Sequence, residues 1–357
     1  MLYSLQDITL IPAEISTISS RSECNPHHNN GKLPIFVAPM SQILDENNWE
    51  TFNKYVNTII PRNIPLETRL ELSTKTFVAL SLDEFEDRFC HDQELETTHY
   101  ILIDVANGHM EKLLNACLLA KTFCEDKLVL MAGNVANPET YFEYARAGID
   151  YCRMSIGSGS QCTTANTGIF YPMGSLLTKT NIYKESVKAW FNTSDCPYKS
   201  IPKIIADGGF NTFGDIIKAL ALGADYVMCG KIFAQTVEAC GEILMNVRPI
   251  DFDETRDIFD TWIRTRDIKQ IKFVQCYRDY YGMSTKRAQK EFGKEGNKTE
   301  EGIASKIPVR YFLESWINEF TDYLRSAMSY TNHKCLNTFI GGVKTEILSP
   351  TAIRTFK

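Results

Sequence analysis

Residues 155–164 read SIGSGSQCTT. Small residues lead into one thiol, Cys162, followed by two hydroxyls, Thr163 and Thr164. Such a loop leaves main-chain amides uncovered and lets a ligand approach the sulfur closely. A thiol among amides, near an anion site, is stabilised as thiolate, the nucleophilic form. Thr163 and Thr164 are then placed to relay protons. The plain alternative is a flexible loop with an incidental cysteine.

Four other loops carry polar or glycine residues straight after apolar runs. ADGGF (206–210) supplies Asp207, Gly208 and Gly209, and MCGK (228–231) supplies Gly230 and Lys231. Glycine lets the backbone approach phosphate oxygens, and Asp207 suits a ribose hydroxyl. Gly208–Gly209 also reads as a simple tight turn. DVANG (104–108) and MAGNV (131–135) bring Asp104, Ala106, Asn107 and Asn134. Their polar side chains would either orient a cofactor amide or cap helices.

Eight short apolar runs must position these loops: 35–38, 57–60, 77–82, 100–105, 128–133, 150–155, 203–209 and 225–230. Continuous apolar runs fit strands buried on both faces, as in a parallel sheet. Helical stretches lie between them, such as 110–123 and 213–223, the latter ended by Gly223. Eight β–α units predict a (β/α)8 TIM barrel spanning 1–357 as one domain; the competing architecture is a doubly wound open sheet. In a barrel, loops after strands seven and eight commonly hold phosphate, and all five polar loops would meet on one face. The stripe Phe312, Trp316, Ile317, Phe320, Leu324 predicts an amphipathic helix over 308–330, the eighth of the barrel. Residues 251–275 read as a charged helix, and the polar 281–302 as a mobile flap.

The chain has 357 residues and a net charge of −6, which gives no support for nucleic-acid binding by a basic field. No apolar run is long enough for a bilayer, and MLYSLQDITLIPAEIS does not read as a secretion signal. The eleven cysteines contain no CxxC pair, so a zinc site is not expected. Most read as small buried hydrophobes, reduced, in a cytosolic protein.

Together, DVANGH, MAGNV, GSGSQCTT, TGIFYP, ADGGFNTFGDIIKALALGADYVMCG, YYGMS and EEG resemble the IMP dehydrogenase/GMP reductase family. The likeness runs from DITLIP near the start to LSPTAIRTF at the end. It implies a (β/α)8 barrel, a purine nucleotide monophosphate (GMP or IMP), a nicotinamide cofactor, a homotetramer, and a cysteine that attacks C2 of the purine. Only PRNIP follows NTII, so the regulatory CBS pair of many dehydrogenases has no room. The segment between YYGMS and EEG lacks the Arg-Tyr pair that activates water in dehydrogenases. Both features resemble the reductase branch, which needs no hydrolysis.

On this resemblance Cys162 is the nucleophile, and Thr164 with Glu301 helps protonate departing ammonia. Glu301 must then hold a proton near neutral pH, and adjacent Glu300 would favour that. Asp207 resembles the ribose ligand. Ser160, Gly209, Gly230 and Tyr280 resemble the phosphate shell, with Gly208, Lys231 and Gly282 beside them. Met283 and Ser284 lie where the family contacts the base. The chain departs from the family at Ser158, where proline is usual, and at Ser41, where aspartate is usual. Lys231 stands where a small residue is usual, and Arg62 lies where a cofactor-contacting lysine is expected. Extra residues near 250–270 have no family counterpart. The resulting expectation is NADPH-dependent reduction of GMP to IMP. The rivals are an IMP dehydrogenase-like or other oxidoreductase reaction on a purine nucleotide, and a catalytically silent nucleotide binder.

Overall fold

The structure is a computed structural model. It describes residues 2–92, 94–159, 162–191, 193–245, 248–250, 276–282, 285, 286, 288 and 302–355. A short strand β1 (Ile8–Leu10) precedes eight barrel strands. These are β2 (Ile35–Val37), β3 (Ile59–Ile60), β4 (Phe77–Leu80), β5 (His99–Asp104), β6 (Leu128–Val135), β7 (Tyr151–Met154), β8 (Lys203–Asp207) and β9 (Tyr226–Cys229). They form one parallel sheet in the order β2-β9-β8-β7-β6-β5-β4-β3. A parallel bridge between Phe36 and Asn57 joins its two ends, so the sheet closes into the expected (β/α)8 barrel.

Period-two alternation explains the continuous apolar runs. Phe36, Ile59, Phe77, Leu102, Met131, Ile205, Tyr226 and Met228 fill the barrel interior. Their neighbours Ile35, Val37, Ile101, Ile103 and Ile204 face the surrounding helices. Both faces are dry, so neither can alternate with polar residues.

The helix expected over 110–123 runs Glu111–Cys124. The helix Phe213–Ala221 starts on a Thr212/Asp215 capping box, and Gly223 follows with φ +111°. The run at 203–209 ends its strand at Asp207 because Gly208 and Gly209 turn to φ +82° and +83°. Only Pro61–Pro65 separate β3 from the helix Leu66–Leu72.

The stretch after β9 departs from the sequence reading. It builds a four-stranded antiparallel sheet from β10 (Ile243–Met245), β11 (Arg248–Ile250), β12 (Cys276–Tyr280) and β13 (Ser305–Pro308), in the order β11-β10-β12-β13. Residues 305–308 are therefore strand, and the eighth barrel helix begins at Leu313, running to Tyr330. Trp316, Ile317, Phe320 and Leu324 are buried on it as expected, whereas Phe312 is its half-buried N-cap residue. Glu238 Oε2 accepts the Leu313 amide at 2.9 Å and seats that helix.

Arg278 on β12 is fully buried. Its guanidinium donates to the carbonyls of Gly241 (2.6 Å), Thr236 (2.8 Å), Ala239 (2.8 Å) and Ala234 (2.5 Å). Burial lowers its pKa to about 10. One side chain thus fixes the turn that links β9 to this small sheet.

The charged helix expected at 251–275 lies outside the described residues, as does most of the 281–302 flap. Of the flap, Thr285 and Ala288 are buried, so its start is more enclosed than its polarity suggests. Strand β14 (Thr345–Ile347) pairs antiparallel with β1. No helix among the described residues is long and apolar enough to cross a membrane.

Candidate functional site

Two loops interlock at the C-terminal mouth of the barrel. β7 ends at Met154, and Ser155 N donates to Val135 O at 2.7 Å. Ser158 Oγ donates to the carbonyl of Asp207 at 3.0 Å and also meets the Ser155 hydroxyl. A Cβ on Gly208 would lie 3.1 Å from Gly159 Cα, and one on Gly209 would lie 3.1 Å from Ser158 O. Positive φ and this close approach together require glycine at both positions.

Cys162 follows at once. Its amide donates to Gly159 O at 2.9 Å, and its half-buried Sγ lies 3.1 Å from Thr164 Oγ1. An isolated antiparallel bridge pairs Cys162 with Gly302. The thiol, Thr164 and the chain next to Glu301 are thereby brought together. Ser160, Met283, Ser284 and Glu301 themselves lie outside the described residues.

The phosphate candidates also converge. A Cβ on Gly230 would lie 2.6 Å from Tyr280 Oη and 3.0 Å from Met40 Sδ. Strand β12 therefore brings the Tyr280 hydroxyl onto the glycine that follows β9. In the neighbouring loop, Asp215 Oδ2 takes the amides of Asn211 (3.2 Å) and Thr212 (3.1 Å). The Gly209 and Phe210 amides find no acceptor among the described residues. Lys231 is half-buried and makes no hydrogen bond or ion pair with them. Gly282 follows Tyr281, with nothing near its missing Cβ.

Asp207 is the centre of a network that sequence reasoning missed. Its Oδ2 accepts from Arg153 Nε at 2.8 Å and from Asn134 Nδ2 at 2.7 Å. Arg153 Nη1 reaches Asp104 Oδ1 at 2.6 Å. Burial alone would loosen the Arg153 proton, but the two carboxylates outweigh it and hold the proton more tightly than usual. Arg153 reaches this position on β7, whose backbone passes so close to β6 that only glycine fits at 133: a Cβ there would lie 2.5 Å from Arg153 O. The signal was a charge inside the apolar run DYCRMS, since a buried charge needs partners. Asn134 thus braces Asp207 directly and Asp104 does so through Arg153. Asn107 Oδ1 instead accepts the His109 amide at 3.1 Å, a local turn cap, and Ala106 and Asn107 are exposed at the mouth.

Arg62 follows β3 on the same face. Its buried Nε has no hydrogen-bond partner. The nearest carboxylate oxygen, Glu84 Oε2, is 4.0 Å away. That carboxylate is already held by Arg69 (2.7 and 3.2 Å) and the Ser81 amide (2.7 Å). Two guanidinium groups share one acid, which leaves a surplus positive charge. Ser41 Oγ accepts the Gln42 amide at 2.6 Å.

The profile of the "IMP dehydrogenase / GMP reductase domain" matches residues 53–251, more than half of the chain. The chain belongs to the IMP dehydrogenase / GMP reductase family. At that level it is an oxidoreductase-type enzyme acting on a purine nucleotide. It is 28% identical over 350 residues to a protein named GMP reductase from Shouchella clausii, covering 94% of this chain and 92% of that protein. It is 27% identical over 341 residues to one of the same name from Streptococcus pneumoniae serotype 4, covering 92% and 90%. Among the described residues, no group of three or more His, Cys, Asp or Glu could hold a metal ion.

Proposed function

We propose that the protein is a GMP reductase: it converts GMP to IMP and ammonia with NADPH, through a thioimidate on Cys162. The observation that carries this reading is the interlock of the Cys162 loop with the Gly208–Gly209 loop beside Asp207. It offers a sulfur, a ribose acceptor and main-chain amides at one mouth. The name carried by the relatives favours the reductase branch, as does the missing Arg-Tyr pair between YYGMS and EEG.

In this reading the Gly209 and Phe210 amides, the Tyr280 hydroxyl and Lys231 take the 5′-phosphate, with Ser160 and Gly230 beside them. Asp207, braced by Arg153 and Asn134, accepts from the ribose. Met283, Ser284 and Gly282 meet the base. The Cys162 sulfur adds to C2, and Glu301 with Thr164 passes a proton to the amino group, which leaves as ammonia. The carbon–sulfur bond remains as a thioimidate. NADPH, when bound, supplies the hydride that C2 accepts. The sulfur then leaves with its electron pair and IMP forms. Covalent catalysis divides one hard displacement into two easier steps.

The residues fit a phosphate-bearing reductant. Arg62 offers an unused donor at the mouth after β3, beside β4 and two strands round the barrel from β9. An anion there would belong to a second ligand. Ala106 and Asn107, on the exposed loop after β5, border the same space. The reading further includes one barrel domain over 1–357 and a mobile flap at 281–302, drawn from the apolar runs and the polarity of that segment, a cytosolic location, drawn from cysteine usage, and a homotetramer, drawn from the family resemblance.

The test is to mix the protein with GMP and NADPH, then with IMP and NAD, following nicotinamide absorbance. The reading expects turnover with the first pair. Turnover only with the second makes it a dehydrogenase. Binding of GMP without turnover of either makes it a silent binder.

A further inference from the structure

We propose that Ser158 is a positioning residue that fixes the Cys162 sulfur relative to the Asp207 end of β8. This rests on the reading of Cys162 as nucleophile.

The Ser158 hydroxyl is the only side-chain hydrogen bond among the described residues that runs from this loop to β8. Its acceptor, the Asp207 carbonyl, belongs to a residue whose carboxylate is clamped by Arg153 and Asn134. The anchor is therefore the barrel rim, not another loop. The Ser155 hydroxyl meets Ser158 Oγ from the other side, and Ser155 is itself buried and tied to Val135. With its own proton committed to Asp207, Ser158 Oγ accepts from Ser155.

One residue on, the Gly159 carbonyl accepts the Cys162 amide. A continuous path thus runs from Asp207 through Ser158 and Gly159 to the nucleophile. Among the described residues, the remaining side-chain contacts between the two loops are steric, the close approaches of Gly208 and Gly209. Steric contact stops the loops from moving together but not apart. The Ser158 bond supplies the attractive half. Reacting atoms must meet within a fraction of an ångström, so a displaced loop costs rate more than binding. The nucleotide's proposed contacts at Asp207, Phe210, Tyr280, Lys231 and the glycines lie off the Ser158 loop, and Ser160 is the one that shares it.

The experiment compares Ser158→Ala with wild type and with Ser155→Ala, which keeps the Ser158–Asp207 bond. Two readouts are used: iodoacetamide alkylation of Cys162 in ligand-free protein, by peptide mass spectrometry, and steady-state kinetics with GMP and NADPH. For Ser158→Ala we expect alkylation at least threefold faster, kcat about tenfold lower, and KM for GMP within twofold of wild type. Ser155→Ala should stay within twofold on all three. Unchanged alkylation in Ser158→Ala overturns the proposal. So does faster alkylation with unchanged kcat, or a kcat loss matched by an equal rise in KM. So does Ser155→Ala behaving like Ser158→Ala, which would indicate general loosening. If wild type turns over no GMP, the parent reading fails on its own, and the alkylation comparison still decides whether Ser158 holds the thiol.

Discussion

Arg153 Nε donates to Asp207 Oδ2 at 2.8 Å while its Nη1 holds Asp104 at 2.6 Å. One strand residue thus pairs with two acids at the C-terminal mouth of the barrel. Arg153→Met would leave both partly buried carboxylates without a counter-charge, Asp207 keeping the Asn134 amide. It should cost about 3 kcal/mol of stability and raise KM for GMP at least tenfold. Adding Asp104→Asn should recover part of the melting temperature but little of the KM. Chemical denaturation and steady-state kinetics check this. An Arg153→Met protein with wild-type stability would contradict the network.

Gly230 and Tyr280 are 50 residues apart in sequence, yet a Cβ on one would lie 2.6 Å from the hydroxyl of the other. Gly230→Ala should therefore displace the phenol and raise KM for GMP about tenfold. Tyr280→Phe alone should raise KM more modestly, by roughly threefold, through one lost hydrogen bond. In the double variant the clash is relieved, so the effects should fall short of the product. A fully multiplicative double variant would count against direct contact.

The barrel was legible because its strands are buried on both faces and therefore read as unbroken apolar runs. Gly208 and Gly209 were legible because few residues other than glycine suit that turn. Arg153 was not, because a sequence reveals a charge inside a strand but not its partner, and Asp207 lies 54 positions away. The small sheet was hidden for a related reason. On β12 the buried face is Cys276, Arg278, Tyr280, with an arginine at its centre, so alternation of apolar and polar residues fails. What saves that arginine is four carbonyls from a turn that lies about 40 residues earlier. Asn134 was noticed, but its partner was out of sight until β6 and β8 were set in one barrel.

Arg62 carries a separate prediction. Its guanidinium is in surplus over Glu84, which Arg69 and Ser81 already hold. Arg62→Ala should raise KM for NADPH about tenfold and leave KM for GMP within twofold. Melting temperature should change little, because the arginine side chain makes no hydrogen bond with the described residues. An unchanged KM for NADPH would remove Arg62 from the reductant's site.

Burial holds His27, His28, His99, His109 and His333 below the ordinary histidine value of 6.5. The unfolded chain then takes up protons at a higher pH than the folded one. Their stabilising contribution is complete above 6.5 and is lost as pH falls through the lowered folded values. Glu238 acts oppositely, since burial raises it above 4.5, but it is one group against five. Glu84 lies lower: burial works against it, yet Arg69 and the Ser81 amide hold it below 4.5. Melting temperature should therefore fall from about pH 7.5 to about pH 5.5, before the Glu84 carboxylate titrates. A flat or rising profile over that range would contradict the histidine assignments.

The central claim is that the Cys162 sulfur bonds to purine carbon during turnover. The direct measurement is peptide mass spectrometry of enzyme quenched in acid while turning over GMP with NADPH. The account predicts a purine nucleotide adduct on the peptide containing Cys162, absent without GMP, and no turnover in Cys162→Ala. GMP turnover by Cys162→Ala, or an adduct on any other cysteine, would contradict it.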